Sequence, residues 1–268
     1  MKQKFDILVV EDEPVVLAAV RKIVESENFK IDDAVDGESA IEKLKQNRYR
    51  LIISDLMLPG VSGLELIKKM KADNPCIPFI VITGYATLEK ALQSFKSGSF
   101  DFIPKPFDTE ALLGVVKRGL KYSDYVCEKG SDQHAFIHLP YPANSYEGSC
   151  DLYCLGCHSW VKLEEDDTAV VGVGETFPNM IEHLDRLEFT VANNELVQGK
   201  CCAHLTTKEG FVNMFWAPVS GRVVAYNHEL KSRLRLIDSD PFAQGWLFRI
   251  VPSNLEAESS HLICCKKK

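Results

Sequence analysis

Five polar side chains stand where apolar runs of the 268-residue chain stop. The first run ends in Glu11 and Asp12, a later one in Asp55, the next in Thr83, and a last short one leads into Lys105. Three carboxylates gathered at one place repel each other and call for a cation. Hard oxygen ligands with room for water suit Mg²⁺. A cation beside a carboxylate offsets the charge that builds up when a phosphoryl group arrives, so the carboxylate can serve as a nucleophile. A lysine ammonium and a threonine hydroxyl are suited to the remaining phosphoryl oxygens. The chemistry expected is in-line phosphoryl transfer onto one of these carboxylates, achieved by positioning and charge neutralisation. A plainer reading makes each acid a helix cap, as Asp12 before Pro14 could be. Five residues of matching type at strand ends weigh against it.

The elements that must position these groups follow from periodicity. Phe5–Val10, Leu51–Ser54 and Phe79–Thr83 read as buried strands, with weaker ones at Lys30–Ala34 and Asp101–Ile103. Amphipathic segments lie between and after them at Val15–Glu27, Glu38–Gln46, Leu64–Lys71, Leu88–Lys96 and Thr109–Lys121, with apolar residues three or four apart. Such alternation predicts an α/β doubly wound (βα)5 domain, a parallel sheet covered on both faces. Ligands of such sheets sit outside the carboxyl ends of the strands. The expected division is a first domain at 1–122, a linker at 123–149, a mostly-β domain at 150–254 and a flexible tail at 255–268. Strands are expected at Thr168–Gly172, Glu188–Val191, Phe211–Trp216, Gly221–Tyr226 and Trp246–Ile250, with a short helix over Asn179–Leu187.

The segments Ile7-Leu8-Val9-Val10-Glu11-Asp12-Glu13, Ile53-Ser54-Asp55-Leu56-Met57-Leu58-Pro59-Gly60, Ile82-Thr83-Gly84-Tyr85 and Phe102-Ile103-Pro104-Lys105-Pro106-Phe107 resemble the response-regulator receiver family, in order and over roughly residues 4–122. The resemblance implies that Asp55 accepts a phosphoryl group from a sensor histidine kinase. It implies Mg²⁺ held by Asp12, Asp55 and the Met57 carbonyl, with Glu11 reaching it through water. It implies that Thr83 and Lys105 bind phosphoryl oxygens, that Phe102 is an aromatic switch, and that the Lys105–Pro106 bond is cis.

In the second half, His158-Ser159-Trp160-Val161, Thr168 to Gly174, Ala217 to Asn227, Asp240-Pro241-Phe242 and Gly245-Trp246-Leu247 resemble the glycine-cleavage H protein, a lipoyl carrier, over about residues 153–252. That implies a barrel-sandwich. The family's lipoyl-bearing lysine falls at Gly210, so lipoate is not expected. Lys208, two residues away, is the alternative attachment point.

The H-protein resemblance does not account for the cysteines, eight of nine of which lie after residue 120. Cys154-x-x-Cys157-His158 has the spacing of a c-type haem site, but haem attachment belongs to an oxidising compartment and a receiver to the cytoplasm. A Zn²⁺ or iron–sulfur site from Cys150, Cys154, Cys157, Cys201 and Cys202 fits better. A dithiol redox switch is a further option, and buried apolar thiols are the plain alternative.

Composition excludes other classes. The chain carries 18 basic and 19 acidic side chains before residue 125, and 13 and 19 from there on, so its net charge of −7 lies mostly in the second half. That half lacks the basic face a DNA-binding output needs. No signal peptide or membrane span is legible. The expectation is a cytoplasmic, non-enzymatic response regulator whose H-protein-like output binds an unknown protein target. Nucleic acid and membrane are not expected partners, and a homodimer is left open. A receiver-regulated lipoyl carrier and a metal or thiol redox sensor are the other classes.

Overall fold

The computed structural model describes residues 4–74, 76–84, 88–129, 152–156, 158–174, 177 and 180–264. The chain divides into two compact units, Met1–Asp132 and Gln133–Lys268.

The first unit alternates β1 (Ile7–Val10), α1 (Pro14–Glu25), β2 (Ile31–Ala34), α2 (Gly37–Gln46), β3 (Leu51–Asp55), α3 (Gly63–Asp73), β4 (Phe79–Thr83), α4 (Leu88–Lys96), β5 (Asp101–Pro104) and α5 (Thr109–Lys129). All strand pairs are parallel, in the order β2-β1-β3-β4-β5. Strands β1, β3 and β4 are buried along their whole length, which is why they read as unbroken apolar runs and not as alternating ones. The helices begin on local signals. Pro14 opens α1, the Asp36 carboxylate caps α2 by accepting the Ser39 N–H, and Ser62 with Glu65 forms a capping box on α3. Helix α5 continues to Lys129, beyond the expected boundary at 122 and into the expected linker. Its register supports this, because Tyr122 and Ser123 are buried like Leu112, Val116 and Leu120 before them. A buried ion pair from Arg118 to Asp101 ties α5 to β5.

The second unit is mostly β. Its strands are β6 (Leu152–Leu155), β7 (Ser159–Leu163), β8 (Ala169–Val173), β9 (Leu184–Phe189), β10 (Glu195–Leu196), β11 (Cys201–Thr207), β12 (Val212–Trp216), β13 (Gly221–Tyr226), β14 (Trp246–Pro252) and β15 (Ile263–Cys264). One sheet runs β10-β13-β14-β8-β7-β6-β15 and a second runs β12-β11-β9. Val161, Val171, Leu205, Phe215, Phe248 and Ile250 share one buried core. Trp160 faces Gly172 across β7 and β8, where a β-carbon would lie 2.2 Å from the indole. Buried Asn227 braces the loop before β14, donating to the carbonyls of Gln244 and Trp246 at 2.8 Å each.

Two expectations fail here. Leu184–Leu187 is not helical. His183 has a left-handed backbone (φ 52°), and the chain then runs extended as β9 against β11. The residues from 255 to 264 are not a loose tail. A helical turn at Leu255–Glu258 is fastened where the Glu258 carboxylate accepts the Ser220 N–H (2.7 Å) and the Glu258 carbonyl accepts Gln198 Nε2 (3.1 Å). Strand β15 then pairs with β6. Polar side chains hold this segment, so its polar composition misled.

Candidate functional site

The sheet register assembles the site. Val10 pairs with Ser54, so Glu11 emerges beside Asp55. Asp55 pairs with Ile82, and Thr83 pairs with Pro104, which delivers Lys105 to the same rim. This rim lies at the carboxyl ends of strands on either side of the β1/β3 switch point, where open parallel sheets place their ligands. The Lys105–Pro106 bond is cis, as expected.

Lys105 Nζ is the hub. It stands 2.6 Å from Asp55 Oδ2, 2.8 Å from Glu11 Oε2 and 3.3 Å from Glu13 Oε1. Asp55 is buried, and its Oδ1 accepts the Met57 N–H at 2.9 Å. Burial works against the Lys105 charge, but the Asp55 and Glu11 carboxylates outweigh it and raise the ammonium above its usual range. Burial also raises Glu11 above the usual carboxylate range, and the Lys105 charge only partly offsets it.

The donor set fits Mg²⁺. Glu11, Asp12 and Asp55 each offer a carboxylate oxygen, all within 4.8 Å of one another, and no other such group occurs among the described residues. Oxygen-only ligands with Asp12 exposed to water match a hard cation that keeps part of its hydration. Thr83 supplies a second sign of a ligand. Its side-chain oxygen is buried and has no hydrogen-bond partner, a costly condition unless something else is bound there. Phe102 is buried on β5 with its ring edge-to-face on Phe95 of α4, centroids 6.0 Å apart.

Sequence reasoning missed two residues here. Glu13 contacts Lys105 at 3.3 Å, across 92 residues of sequence. Gly63 opens α3 so close to Asp55 that a β-carbon would lie 2.2 Å from the Asp55 carbonyl oxygen. Its place just after the Ser62 cap was the available signal.

Among the described residues the expected cysteines form no ligand cluster. Cys154, Cys201 and Cys202 are not among the described ligand clusters, and Cys150 and Cys157 lie outside the described residues, as does Tyr85. Cys201 and Cys202 sit on β11 in the three-stranded sheet, while Cys154 belongs to β6 in the other. Cys202 is a core thiol, pushed up by burial. Cys154 and Cys264 are disulfide-bonded.

The lipoyl position does not fit lipoate either. Gly210 closes the β11–β12 turn in a left-handed conformation (φ 89°) and offers no amine. Lys208 is exposed on the same turn.

Comparison with known proteins agrees with both halves. The response regulator receiver domain model matches residues 7–117, and the glycine cleavage H-protein model matches residues 152–268. The nitrogen assimilation regulatory protein NtrX of Azorhizobium caulinodans is 36% identical over 118 residues, covering 43% of this chain and 26% of the relative. The response regulator ArlR of Staphylococcus saprophyticus is 36% identical over 115 residues, covering 43% and 52%. The chain thus spans between about a quarter and about half of these relatives. The crystal structure of the receiver domain of NtrX from Brucella abortus is 34% identical, with a TM-score of 0.42, over 43% of this chain and 98% of that one. Among the described residues no helix is long and apolar enough to cross a membrane. Residues 7–117 of this chain are a response regulator receiver domain, and residues 152–268 match the glycine cleavage H-protein family.

Proposed function

We propose that this chain is a phosphorylation-controlled binding protein of the cytoplasm, in which Asp55 takes a phosphoryl group from a sensor histidine kinase. The observation that carries the reading is the Asp55 carboxylate, buried at the end of β3 with Lys105 at 2.6 Å and two further carboxylates beside it. Glu11, Asp12, Asp55 and the Met57 carbonyl would hold Mg²⁺. Bound there, the ion supplies positive charge against the phosphoryl oxygens. The chain's own groups do the rest. The Met57 N–H orients the Asp55 carboxylate for attack. A phosphorus–oxygen bond to Asp55 forms as the phosphorus–nitrogen bond to the kinase histidine breaks, and the histidine takes up a proton. Lys105 turns from carboxylate to phosphoryl oxygen, and the Thr83 hydroxyl gains the partner it lacks. That shift draws on the β5 face, where Phe102 leaves its packing on Phe95.

The output is non-enzymatic binding to a protein target. An acidic second half speaks against DNA, and the Gly210 turn speaks against a lipoyl arm. Intact mass of the chain made in lipoate-fed cells, with a small phosphodonor and Mg²⁺, tests both parts. One phosphoryl adduct on the wild type, none on Asp55→Ala and no lipoyl adduct are expected. A phosphoryl adduct on Asp55→Ala would sink the acceptor assignment, and a lipoyl adduct would make the second domain a carrier.

A further inference from the structure

Lys105 faces three carboxylates, and they differ in their surroundings. Its Nζ lies 2.6 Å from Asp55 Oδ2, 2.8 Å from Glu11 Oε2, 3.0 Å from Glu11 Oε1 and 3.3 Å from Glu13 Oε1. The Glu11 side chain is fully buried and that of Asp55 is 6% exposed, whereas that of Glu13 is 63% exposed. Glu13 stands at the N-terminal boundary of α1, and its side chain makes no cap to that helix. Its backbone N–H donates to Glu11 Oε1 at 3.3 Å, which keeps it beside the pocket. Its carboxylate is not part of the oxygen cluster of Glu11, Asp12 and Asp55.

A cation in that cluster and Lys105 compete for the same oxygens. Three of the four carboxylate oxygens of Glu11 and Asp55 face Lys105 Nζ, and the fourth, Asp55 Oδ1, accepts the Met57 N–H. Mg²⁺ cannot take Glu11 and Asp55 while Lys105 keeps both, because two cations on one pair of carboxylates repel each other. Lys105 has to give way. Glu13 is the acceptor already in contact with it that the cluster leaves unused. The move carries a largely buried ammonium toward water, so it regains hydration as it loses two partners.

We propose that Glu13 is a positioning residue for this exchange, receiving Lys105 as Mg²⁺ takes Glu11 and Asp55. The inference deepens the Mg²⁺-assisted reading of Asp55 and rests on it. No covalent bond forms or breaks. One ion pair replaces another, and Glu13 eases the entry of the ion through Lys105, without touching the ion itself.

The test is a double-mutant cycle on the full chain. Mg²⁺ affinity is read from the amide NMR signal of Met57, whose N–H sits on Asp55. The four proteins are the wild type, Glu13→Gln, Lys105→Met and the double variant. Glu13→Gln should weaken Mg²⁺ binding about two- to fivefold, the range of a single contact between partly exposed charges, with an unchanged urea midpoint. Lys105→Met removes the competitor and should tighten binding. On that background Glu13→Gln should change the affinity little. Lys105→Gln replaces Lys105→Met in the cycle if the methionine variant does not fold. Equal weakening by Glu13→Gln in both backgrounds would mean that Glu13 acts on the ion directly, and would overturn the proposal. An unchanged affinity in Glu13→Gln would overturn it too, as would a wild-type Met57 signal that Mg²⁺ does not move. The cycle is read without a phosphodonor, so it is separate from the acceptor assignment. The expected cycle in a chain whose Asp55 takes no phosphoryl group would support the exchange and sink only that assignment.

Discussion

Thr83 states the function of the pocket more sharply than the acids do. A buried hydroxyl without a partner costs about 1–3 kcal/mol, and replacing it by a methyl group of the same shape removes that cost. Thr83→Val should therefore raise the stability of the unphosphorylated chain, by about 1 kcal/mol, seen as a higher urea midpoint. It should also lower the yield and lifetime of the phosphorylated form. A lower urea midpoint would mean that the hydroxyl already has a structural partner, and its role in phosphoryl binding would fall. At this scale the pocket was legible because its chemistry lies in residue types at strand ends, and β1, β3 and β4 are apolar enough to show where they stop. Glu13 was not legible, since its contact depends on the path of the Lys105 side chain. Strand β15 was not legible either, because a two-residue strand leaves no periodic trace.

At the scale of elements, the start of α3 and the end of β3 behave as one part. Gly63 comes directly after the Ser62 cap, donates its N–H to the Leu56 carbonyl at 3.1 Å and presses against the Asp55 backbone. A β-carbon there would lie 2.2 Å from the Asp55 carbonyl oxygen and 2.7 Å from Leu56 Cα, both backbone atoms that cannot swing aside. Gly63→Ala should cost about 1–3 kcal/mol of stability through overpacking. It should also slow phosphorylation by a small phosphodonor about tenfold or more, since small misplacements of a reacting group are expensive. An unchanged rate and an unchanged urea midpoint would show that α3 slides freely and does not position the nucleophile. Elements were most legible where period and length agreed, as in β4 and α4. They failed at Leu184–Leu187, where apolar residues three apart imitate a helix and only pairing with β11 decides for a strand. They failed again at α5, whose buried Tyr122 and Ser123 carry the helix past the point where its apolar stripe fades.

At the scale of the whole molecule, charge bears on what the second half can bind. NtrX of Azorhizobium caulinodans matches over 43% of this chain but only 26% of its own length, so most of that relative has no counterpart here. The second half of this chain matches a different family and holds 13 basic against 19 acidic side chains from residue 125 onward. Sequence-independent affinity for duplex DNA comes from basic groups that neutralise phosphates and release counterions. An acidic surface repels the duplex and strengthens the repulsion as salt falls. Phosphorylation adds further negative charge at Asp55 and so cannot reverse the sign. The chain should show no binding to labelled duplex DNA at low salt, phosphorylated or not, even at protein concentrations of about 10⁻⁵ M where ordinary non-specific binders engage. Fluorescence anisotropy across a salt series measures this directly. Sub-micromolar binding that weakens steeply with salt would mean a basic face that the net charge conceals, and would return the second domain to the class of nucleic-acid outputs.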